Sequence, residues 1–392
     1  MRIIGDTNIP FLSYRKIALS LSALAIVGGL VYELLGPGLN LGIDFVGGTQ
    51  VMLKFRDQPN LGPLRESISD LTVGTPLIQR FDEAEKNEIL IRVENPEGAE
   101  GDFTRPILEL LDRDLNSELG ESFDLNRQGA LELLGLLVEA DPDGVGFDFE
   151  ARESHYTPMA DAVLKYRKAN GIFNAVDELA NVEGLSSSAR TYLEDTAAVG
   201  AFSLLGAESV GPAVGADLQK KAMLAICFSL VGMLVYIWIR FQLPYAVGAV
   251  AALFHDVLIT LTAIAVTHRE INLPTVAALL TLVGYSVNDT VVVFDRVREN
   301  LRLRRGEELE PLMNLSINQT LSRTFITSGT TLVVVVSLYI FGGDVINTFA
   351  FVLLVGILVG TYSSIFVASP VALAMNKVLV ARRERRRLKG RR

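Results

Sequence analysis

The chain alternates between long apolar blocks and one long stretch of mixed apolar and polar sequence. Apolar runs close to the ~20 residues that cross a bilayer occur at Ile17–Leu35, Ala222–Ile239, Tyr245–Thr267, Leu273–Phe294, Thr324–Phe341 and Val345–Val378. The last run is longer than one span requires, and we expect a single helix that ends near Ala374. The pattern therefore predicts a polytopic α-helical membrane protein with six transmembrane helices.

The mixed stretch predicts an α+β domain after the first span. GIDFVGGTQVMLKF over 42–55 alternates as a strand would, and a helix is expected over 61–71. Two strands over 75–81 and 88–93 flank the charged turn DEAEKN, and a helix over 103–115 follows. With a last strand over 201–210, this order predicts a ferredoxin-like unit.

A helix-rich insertion over about 121–198 interrupts this unit. Its run GIFNAVDELANVEGLSSSARTYLED resembles a helix-hairpin-helix, with Gly184 at the tight turn of Val182–Leu185. Acidic surroundings favour a packing or protein-binding role over DNA binding. The stretch DPDGVGFD from Asp141 lacks the spaced acids of a calcium loop, so no metal site is predicted.

Composition supports the membrane assignment, and the distribution of charge predicts which side of the membrane each segment faces. Hydrophobic residues make up 49% of the chain and mean hydropathy is +0.34, as membrane spans require. Basic residues cluster at Arg15 and Lys16, in the loop Arg296–Arg305 and in the tail ARRERRRLKGRR from Ala381. Positive residues favour the cytoplasmic side. The tail is a topology anchor, or it contacts anionic lipid or ribosomal RNA.

These features predict the domain organisation. It comprises a cytoplasmic N-terminus over 1–16, an uncleaved first span over 17–35, a periplasmic domain over 36–219, spans two to six over 220–378 and a basic cytoplasmic tail over 379–392. The periplasmic domain carries 33 acidic and 14 basic residues, which argues against nucleic-acid binding. The single cysteine, Cys227, excludes an intrachain disulfide.

Polar groups inside the spans are the candidate chemistry, because each is costly in hydrocarbon. Asp289 lies sixteen residues after Leu273, so it is ~24 Å along its helix from the outer end. Arg323 begins the next span at a comparable depth and could pair with it. Asp289 is then either a proton carrier, if the pairing is conditional, or half of a permanent structural ion pair.

Other polar residues surround this pair. Asn288 adjoins Asp289, and Thr320, Thr324 and Thr327 are spaced as a supporting polar face of one helix. The threonines serve either this site or ordinary interhelical hydrogen bonding. Asp256, beside His255 in the third span, is a brace of the bundle or a weaker second proton carrier.

Five segments resemble the signatures of SecF, a family of the bacterial Sec protein-export machinery. They are GIDFVGGT at 42–49, GPAVG at 211–215, HDVLIT at 255–260, GYSVNDTVVVFDRVREN at 284–300 and NQTLSRTFITS at 318–328. They occur in the family's order, and the inserted region departs from its pattern. The resemblance implies one half of the fold of the RND exporter superfamily.

The resemblance also assigns roles to residues. In the family, the aspartate of the NDT motif and the arginine of the SRT motif are implicated in proton transport; here these are Asp289 and Arg323. Asp44, Gly47 and Gly48 lie in the segment that resembles the motif at the base of the periplasmic domain.

The implied function is that of an accessory subunit of the preprotein translocase. With SecD it would use the proton motive force to promote late-stage export of preproteins across the bacterial inner membrane. The implied partners are SecD as a heterodimer, the SecYEG translocon with SecA, YajC, YidC, the preprotein and membrane lipids, with no nucleic acid.

Two other functions remain open on the residues alone. One is half of a proton-driven exporter of small molecules or lipids, and the other is a membrane scaffold that transports nothing. The sequence has no G-x-x-x-x-G-K-[ST] loop and no nucleophile elbow, so we expect no enzyme activity. We expect no cofactor and no metal.

Overall fold

The protein divides into two units, a helical membrane unit and an α+β unit. The structure is a computed structural model that describes residues 7–36, 38–69, 76–81, 86–94, 102–120, 122–304 and 306–389. The membrane unit comprises Met1–Asp44 and Asp217–Arg392, and the second unit comprises Phe45–Ala216.

Helices make up most of the described chain. They are α1 Arg15–Leu35, α2 Ile43–Val46, α3 Leu61–Ser69, α4 Thr104–Leu115, α5 Ala130–Ala140, α6 Phe149–Asn170, α7 Ser187–Thr196, α8 Pro212–Arg240, α9 Leu243–Val266, α10 Leu273–Leu303, α11 Leu309–Phe341, α12 Gly343–Ser363 and α13 Ser369–Lys389. The strands are β1 Gly48–Phe55, β2 Leu77–Phe81, β3 Glu88–Val93, β4 Phe123–Asp124, β5 Ala197–Ala198 and β6 Phe202–Val210.

Six helical stretches of the described chain are long and apolar enough to cross a membrane, which confirms the predicted number. Five are α1, α8, α9, α10 and α11. The sixth joins α12 to α13 through the π-helical segment Ser364–Ala368 and continues to Lys389, so the predicted end near Ala374 is wrong. Strong helix formers follow that residue, and Lys377 pairs with Glu310 on α11 at 3.0 Å.

Glycine brings the central membrane helices into close contact. An added Cβ at Gly356 would lie 2.4 Å from Cδ1 of Leu282, and one at Gly360 would lie 3.2 Å from Oγ of Ser286. The two glycines on α12 therefore form a G-x-x-x-G contact with α10. On α9, an added Cβ at Gly248 would lie 2.5 Å from the carbonyl oxygen of Ala368, in the π-helical segment.

The second unit is built on a four-stranded antiparallel sheet. Its strand order is β2-β3-β1-β6, which is consistent with the predicted ferredoxin-like arrangement. Apolar side chains of β1, β3, α3 and α4 form its core. The predicted first strand is too long: 43–46 forms α2, and β1 begins at Gly48 after a turn in which Gly47 has φ +81°. Residues 82–85 of the predicted charged turn lie outside the described residues.

The inserted region has a core of its own. The short parallel strands β4 and β5 join its two ends, and Tyr156, Phe173 and Leu193 are fully buried between its helices. Gly184 has φ +93°, as expected for the hairpin turn. The side chain of Ser186 then caps α7 by accepting the amide of Ala189. The prediction of a helical insertion is confirmed.

Candidate functional site

Asp289 lies inside the helical bundle and its described neighbours are hydroxyl groups. Its side chain is buried on α10, and its Oδ2 accepts a hydrogen bond from Oγ of Ser328 on α11 at 3.1 Å. Oγ1 of Thr361 on α12 lies 3.5 Å from the same oxygen and 2.9 Å from Ser328 Oγ. Three helices thus meet at one carboxylate.

Arg323 does not pair with Asp289 in this structure. Within the described part of the chain, no nitrogen of Arg323 lies within 4.0 Å of a carboxylate oxygen, and its side chain is exposed. The direct ion pair considered from the sequence is therefore absent. Comparable depth along two helices was the basis for that prediction, but equal depth does not by itself bring the two side chains within ion-pair distance.

Asp256 forms a second buried site on α9. Its Oδ1 lies 2.8 Å from Nδ1 of His255, and its Oδ2 accepts hydrogen bonds from Ser286 Oγ at 2.5 Å and Ser363 Oγ at 2.8 Å. The carboxylate is fully buried, and Nε2 of His255 is buried with no hydrogen-bond partner among the described residues. This arrangement fits both the brace and the second carrier considered from the sequence.

The two acidic sites share the same two helices. On α10, Ser286 precedes Asp289 by one helical turn and contacts Asp256 instead. On α12, Thr361 contacts the Asp289 site while Ser363 contacts Asp256. We call the set of Asp256, Ser286, Asp289, Ser328, Thr361 and Ser363 the intramembrane polar cluster. A change at either carboxylate therefore acts on α10 and α12 together.

The predicted polar face is divided in the structure. Thr320 and Thr324 are buried, but Thr320 bonds to the backbone of its own helix, as does Thr327. Asn288 is exposed and makes no side-chain hydrogen bond among the described residues. Thr327 also interacts with Asp289 through its hydroxyl group. Among the described residues, Asn288, Thr320 and Thr324 form no hydrogen bond with Asp289.

Four hydroxyl residues of the cluster were missed by the sequence analysis. They are Ser286, Ser328, Thr361 and Ser363. Ser328 follows Thr320 and Thr324 at intervals of four, so helical spacing could have placed it on their buried face. Nothing in the sequence distinguishes Thr361 and Ser363 from the other hydroxyl residues of the last span.

The glycine motif after the first span attaches the chain to α10. Oδ2 of Asp44 accepts a hydrogen bond from the amide of Leu273, the first residue of α10, at 2.8 Å. Gly42 and Ile271 form an isolated backbone contact next to it. Gly48 has φ +134°, and an added Cβ would lie 2.5 Å from the carbonyl oxygen of Val93. Both conditions require glycine there.

No group of three or more metal-binding side chains occurs among the described residues. The cluster instead consists of two carboxylates with hydroxyl neighbours. A hydroxyl group can donate to a carboxylate and can accept from a carboxylic acid, so either protonation state keeps a hydrogen bond. The fold and this site define a multi-pass membrane protein with two carboxylates buried among its helices.

Comparison with known proteins places this class in a family. Residues 190–378 match the family described as protein export membrane protein SecD/SecF, C-terminal, and residues 34–58 match the SecD/SecF GG motif. The chain is 41% identical to protein translocase subunit SecF of Koribacter versatilis, over 95% of this chain and 93% of that protein. It is 38% identical to SecF of Calditerrivibrio nitroreducens, over 93% of each. The chain belongs to the protein translocase subunit SecF family.

Solved structures agree with this. The fold is similar to the crystal structure of SecDF, a translocon-associated membrane protein from Thermus thermophilus, with a TM-score of 0.64 and 28% identity. The match covers 95% of this chain and 39% of the SecDF chain, so this chain spans well under half of that protein. A second SecDF structure, in a super-membrane-facing form, gives a TM-score of 0.54. A translocase subunit is a transport protein, in line with the prediction that the chain is not an enzyme.

Proposed function

We propose that this protein is an accessory subunit of the Sec preprotein translocase that couples proton movement to late-stage export. It acts with SecD as a heterodimer in the bacterial inner membrane. Asp289 takes up and releases the proton, and Arg323 and Asp256 assist. The single observation that carries this proposal is the buried carboxylate of Asp289, which has hydroxyl neighbours and no ion pair within the described chain.

The surroundings of Asp289 suit a group that changes charge. A permanently ionised carboxylate in a membrane interior is expensive unless a cation compensates it, whereas a carboxylic acid is not. Ser328 and Thr361 can serve both forms through their hydroxyl groups. A permanent structural ion pair would instead hold Arg323 against Asp289, and Arg323 is exposed.

One exposed face of α11 supports a partner chain. Arg323, Thr330 and Ser337 are all exposed and are spaced by seven residues, which puts them on one side of the helix. An arginine that faces lipid is costly, so this face requires another polar surface. Of the most apolar 18-residue stretch of α11, only 17% is buried inside the protein. The corresponding share for α10 is 56%. We assign SecD to this face, where Arg323 can reach the proton path from the partner's side.

The glycine motif links the helix that carries Asp289 to the chain that enters the α+β unit. Asp44 accepts the amide of Leu273 at the start of α10, the helix that carries Asp289, and Phe45 is the next residue in the chain and the first of the α+β unit. Displacement of α10 after a proton binds would thus pull directly on the chain entering that unit. This connection is the route by which we propose proton movement reaches the preprotein.

Orientation and the remaining partners complete the proposal. The basic segments lie at residues 15–16 and in the tail, so both termini face the cytoplasm and the α+β unit lies in the periplasm. There it contacts the emerging preprotein. The SecYEG translocon, which acts with SecA, is the neighbouring partner. YajC and YidC are proposed as further neighbours in the same assembly.

An export assay tests this function. Cells depleted of their own SecF receive this protein with its cognate SecD, carrying Asp289 or Asp289→Asn. Asparagine keeps the size and a hydrogen-bonding side chain but cannot exchange a proton. We expect it to abolish export while the protein still accumulates and binds SecD. Normal export with Asp289→Asn would instead support the alternative that the protein is a membrane scaffold. Export of a small molecule or lipid would support the alternative that it is half of a proton-driven exporter.

A further inference from the structure

The inserted region displays an unusual apolar surface. Phe147 is 105% exposed, Leu131 is 80% exposed and Phe149 is 66% exposed. They adjoin a groove of about 560 Å³ between α5 and α6, whose lining also includes Leu134 and Val138. We call these five residues the Phe147 surface. Large aromatic side chains that stand free in water mark interaction sites when they are grouped.

The loop that carries Phe147 is held in place by hydrogen bonds. The carboxylate of Asp141 accepts the amides of Val145 at 2.8 Å and Gly146 at 3.1 Å. Arg152 donates to the carbonyl oxygens of Gly146 and of Val138. The display of Phe147 is thus built into the fold, and a partner meets it without first ordering the loop.

A second set of contacts fixes the loop to the rest of the inserted region. The hydroxyl of Tyr156 accepts the amide of Asp143 at 2.8 Å and donates to Asp141 Oδ1 at 2.9 Å. Ser186, at the hairpin, donates to Asp143 Oδ1 at 2.7 Å. The loop, α6 and the hairpin therefore form one rigid support.

The charge of the groove identifies its ligand. Glu139 and Glu153 line it, are exposed and form no ion pair with any residue that the structure describes. The cation of the groove, Arg152, is already paired with Asp141 at 3.2 Å. Two uncompensated carboxylates next to exposed phenylalanines complement apolar groups flanked by cations, and they repel anionic lipid.

The size of the groove further limits the kinds of ligand that can bind in it. A stable interface between folded proteins buries about 800 Å² on each partner, whereas this groove has room for a few side chains only. Its floor is open at Gly135, where an added Cβ would meet no atom of the described residues within 4 Å. A short segment of unfolded chain fits these dimensions.

We propose that the Phe147 surface binds an unfolded polypeptide segment in which bulky apolar side chains are flanked by Lys or Arg. This identification of the ligand rests on the proposed export function, in which the segment belongs to the preprotein in transit. Apolar side chains enter the groove beside Leu134 and Gly135, and the flanking cations meet Glu139 and Glu153. Small area makes the contact weak and reversible, as a moving chain requires.

Peptide binding to the full-length protein in nanodiscs tests the proposal. Three fluorescent peptides of equal length are compared by anisotropy: a Leu/Phe core with Lys flanks, the same core with Glu flanks, and a Ser core with Lys flanks. We expect the first to bind at least about tenfold more tightly than the other two. Equal binding of all three would overturn the proposal.

Four variants locate the site. We expect the double variant Phe147→Ala with Phe149→Ala to weaken binding about tenfold or more. Gly135→Leu fills the groove from an open position and should block binding while leaving the fold intact. Glu139→Gln with Glu153→Gln should weaken binding and remove most of its salt dependence. Leu77→Ala, at an exposed leucine on β2, is the control and should bind normally.

If the Phe147 surface binds a second copy of the chain or anionic lipid instead, the experiments give different results. If the phenylalanine variant abolishes self-association in sedimentation but leaves peptide binding intact, the surface contacts a second copy and the proposal is wrong. Binding to vesicles of anionic lipid that depends on Phe147 would also contradict it. Asp289→Asn should bind the peptide normally, so failure of this proposal is distinguishable from failure of proton coupling.

Discussion

Oγ of Ser328 on α11 donates a hydrogen bond to Oδ2 of Asp289 on α10, across 3.1 Å inside the helical bundle. This contact joins the carboxylate to the helix that also carries the exposed Arg323. A hydroxyl group can follow the protonation of its neighbour by reversing the direction of its hydrogen bond. Proton binding at Asp289 therefore changes a hydrogen bond to α11, the helix that we assign to the partner interface.

Removal of the hydroxyl neighbours of Asp289 should impair export without unfolding the protein. For Ser328→Ala with Thr361→Val, we expect the export rate to fall about fivefold, since interhelical hydrogen bonds of this kind contribute about 1 kcal/mol. Thr281→Val is the matched control, because Thr281 is exposed and, among the described residues, its hydroxyl bonds only to its own helix at Ala277. Equal export by the double variant and the control would contradict this account.

A methyl group at Gly248 should destabilise the membrane unit. An added Cβ would lie 2.5 Å from the carbonyl oxygen of Ala368, a backbone atom that cannot rotate away. We expect Gly248→Ala to cost about 1 to 3 kcal/mol and to lower the thermal midpoint measured in detergent. Gly284→Ala, with no atom of the described chain within 4 Å of the added Cβ, should be neutral or slightly stabilising. Similar midpoints for the two variants would show that this packing is looser than described.

The partner face of α11 can be tested by crosslinking. A photoreactive amino acid at Thr330 should form an adduct with SecD when the two chains are produced together, because this exposed position follows Arg323 by two helical turns. The same group at Phe228 on α8, which is 71% exposed, should yield no SecD adduct. SecD adducts from Phe228 but not from Thr330 would refute the assignment of the face.

Hydropathy predicts the membrane helices well because burial in lipid depends mainly on composition over about 20 residues. It does not predict rotation about a helix axis. Depth along the chain placed Asp289 and Arg323 level with each other, yet one is buried and the other exposed. An error of two residues in helical phase turns a side chain to the opposite side.

Hydrogen-bond partners that lie on distant segments of the chain cannot be predicted from the sequence either. Ser363 contacts Asp256 across 107 residues of chain, and nothing near either residue indicates the other. The carboxylates themselves could be predicted, because a charged residue in an apolar run is conspicuous. The hydroxyl groups could not, since serine and threonine are common in membrane helices for other reasons.

The loop that supports Phe147 should lose its protection in acid. Burial opposes ionisation of Asp141, but the amides of Gly146 and Val145, the Tyr156 hydroxyl and Arg152 outweigh it and hold the pKa of that carboxyl below its ordinary value. A lowered folded-state pKa means that the contribution to stability is present above the unfolded value of about 3.9. It is lost as the pH falls through the folded value.

Hydrogen exchange of the full-length protein checks this. After correction for the intrinsic rate, the amides of Val145 and Gly146 should be protected at pH 7 and lose protection progressively below about pH 4. In Asp141→Asn, both amides should exchange faster at pH 7, with little further change in acid. Protection that increases on acidification would contradict the assigned sign.

Proton entry driven by a pH gradient tests the central claim most directly. Proteoliposomes that hold this protein with SecD are given an imposed gradient, and internal acidification is followed with a pH-sensitive dye for the wild type, Asp289→Glu and Asp289→Asn. We predict acidification with the wild type, a reduced but measurable rate with glutamate and the rate of empty liposomes with asparagine. Unchanged acidification with Asp289→Asn would contradict the account, because a side chain that cannot bind the proton would then suffice.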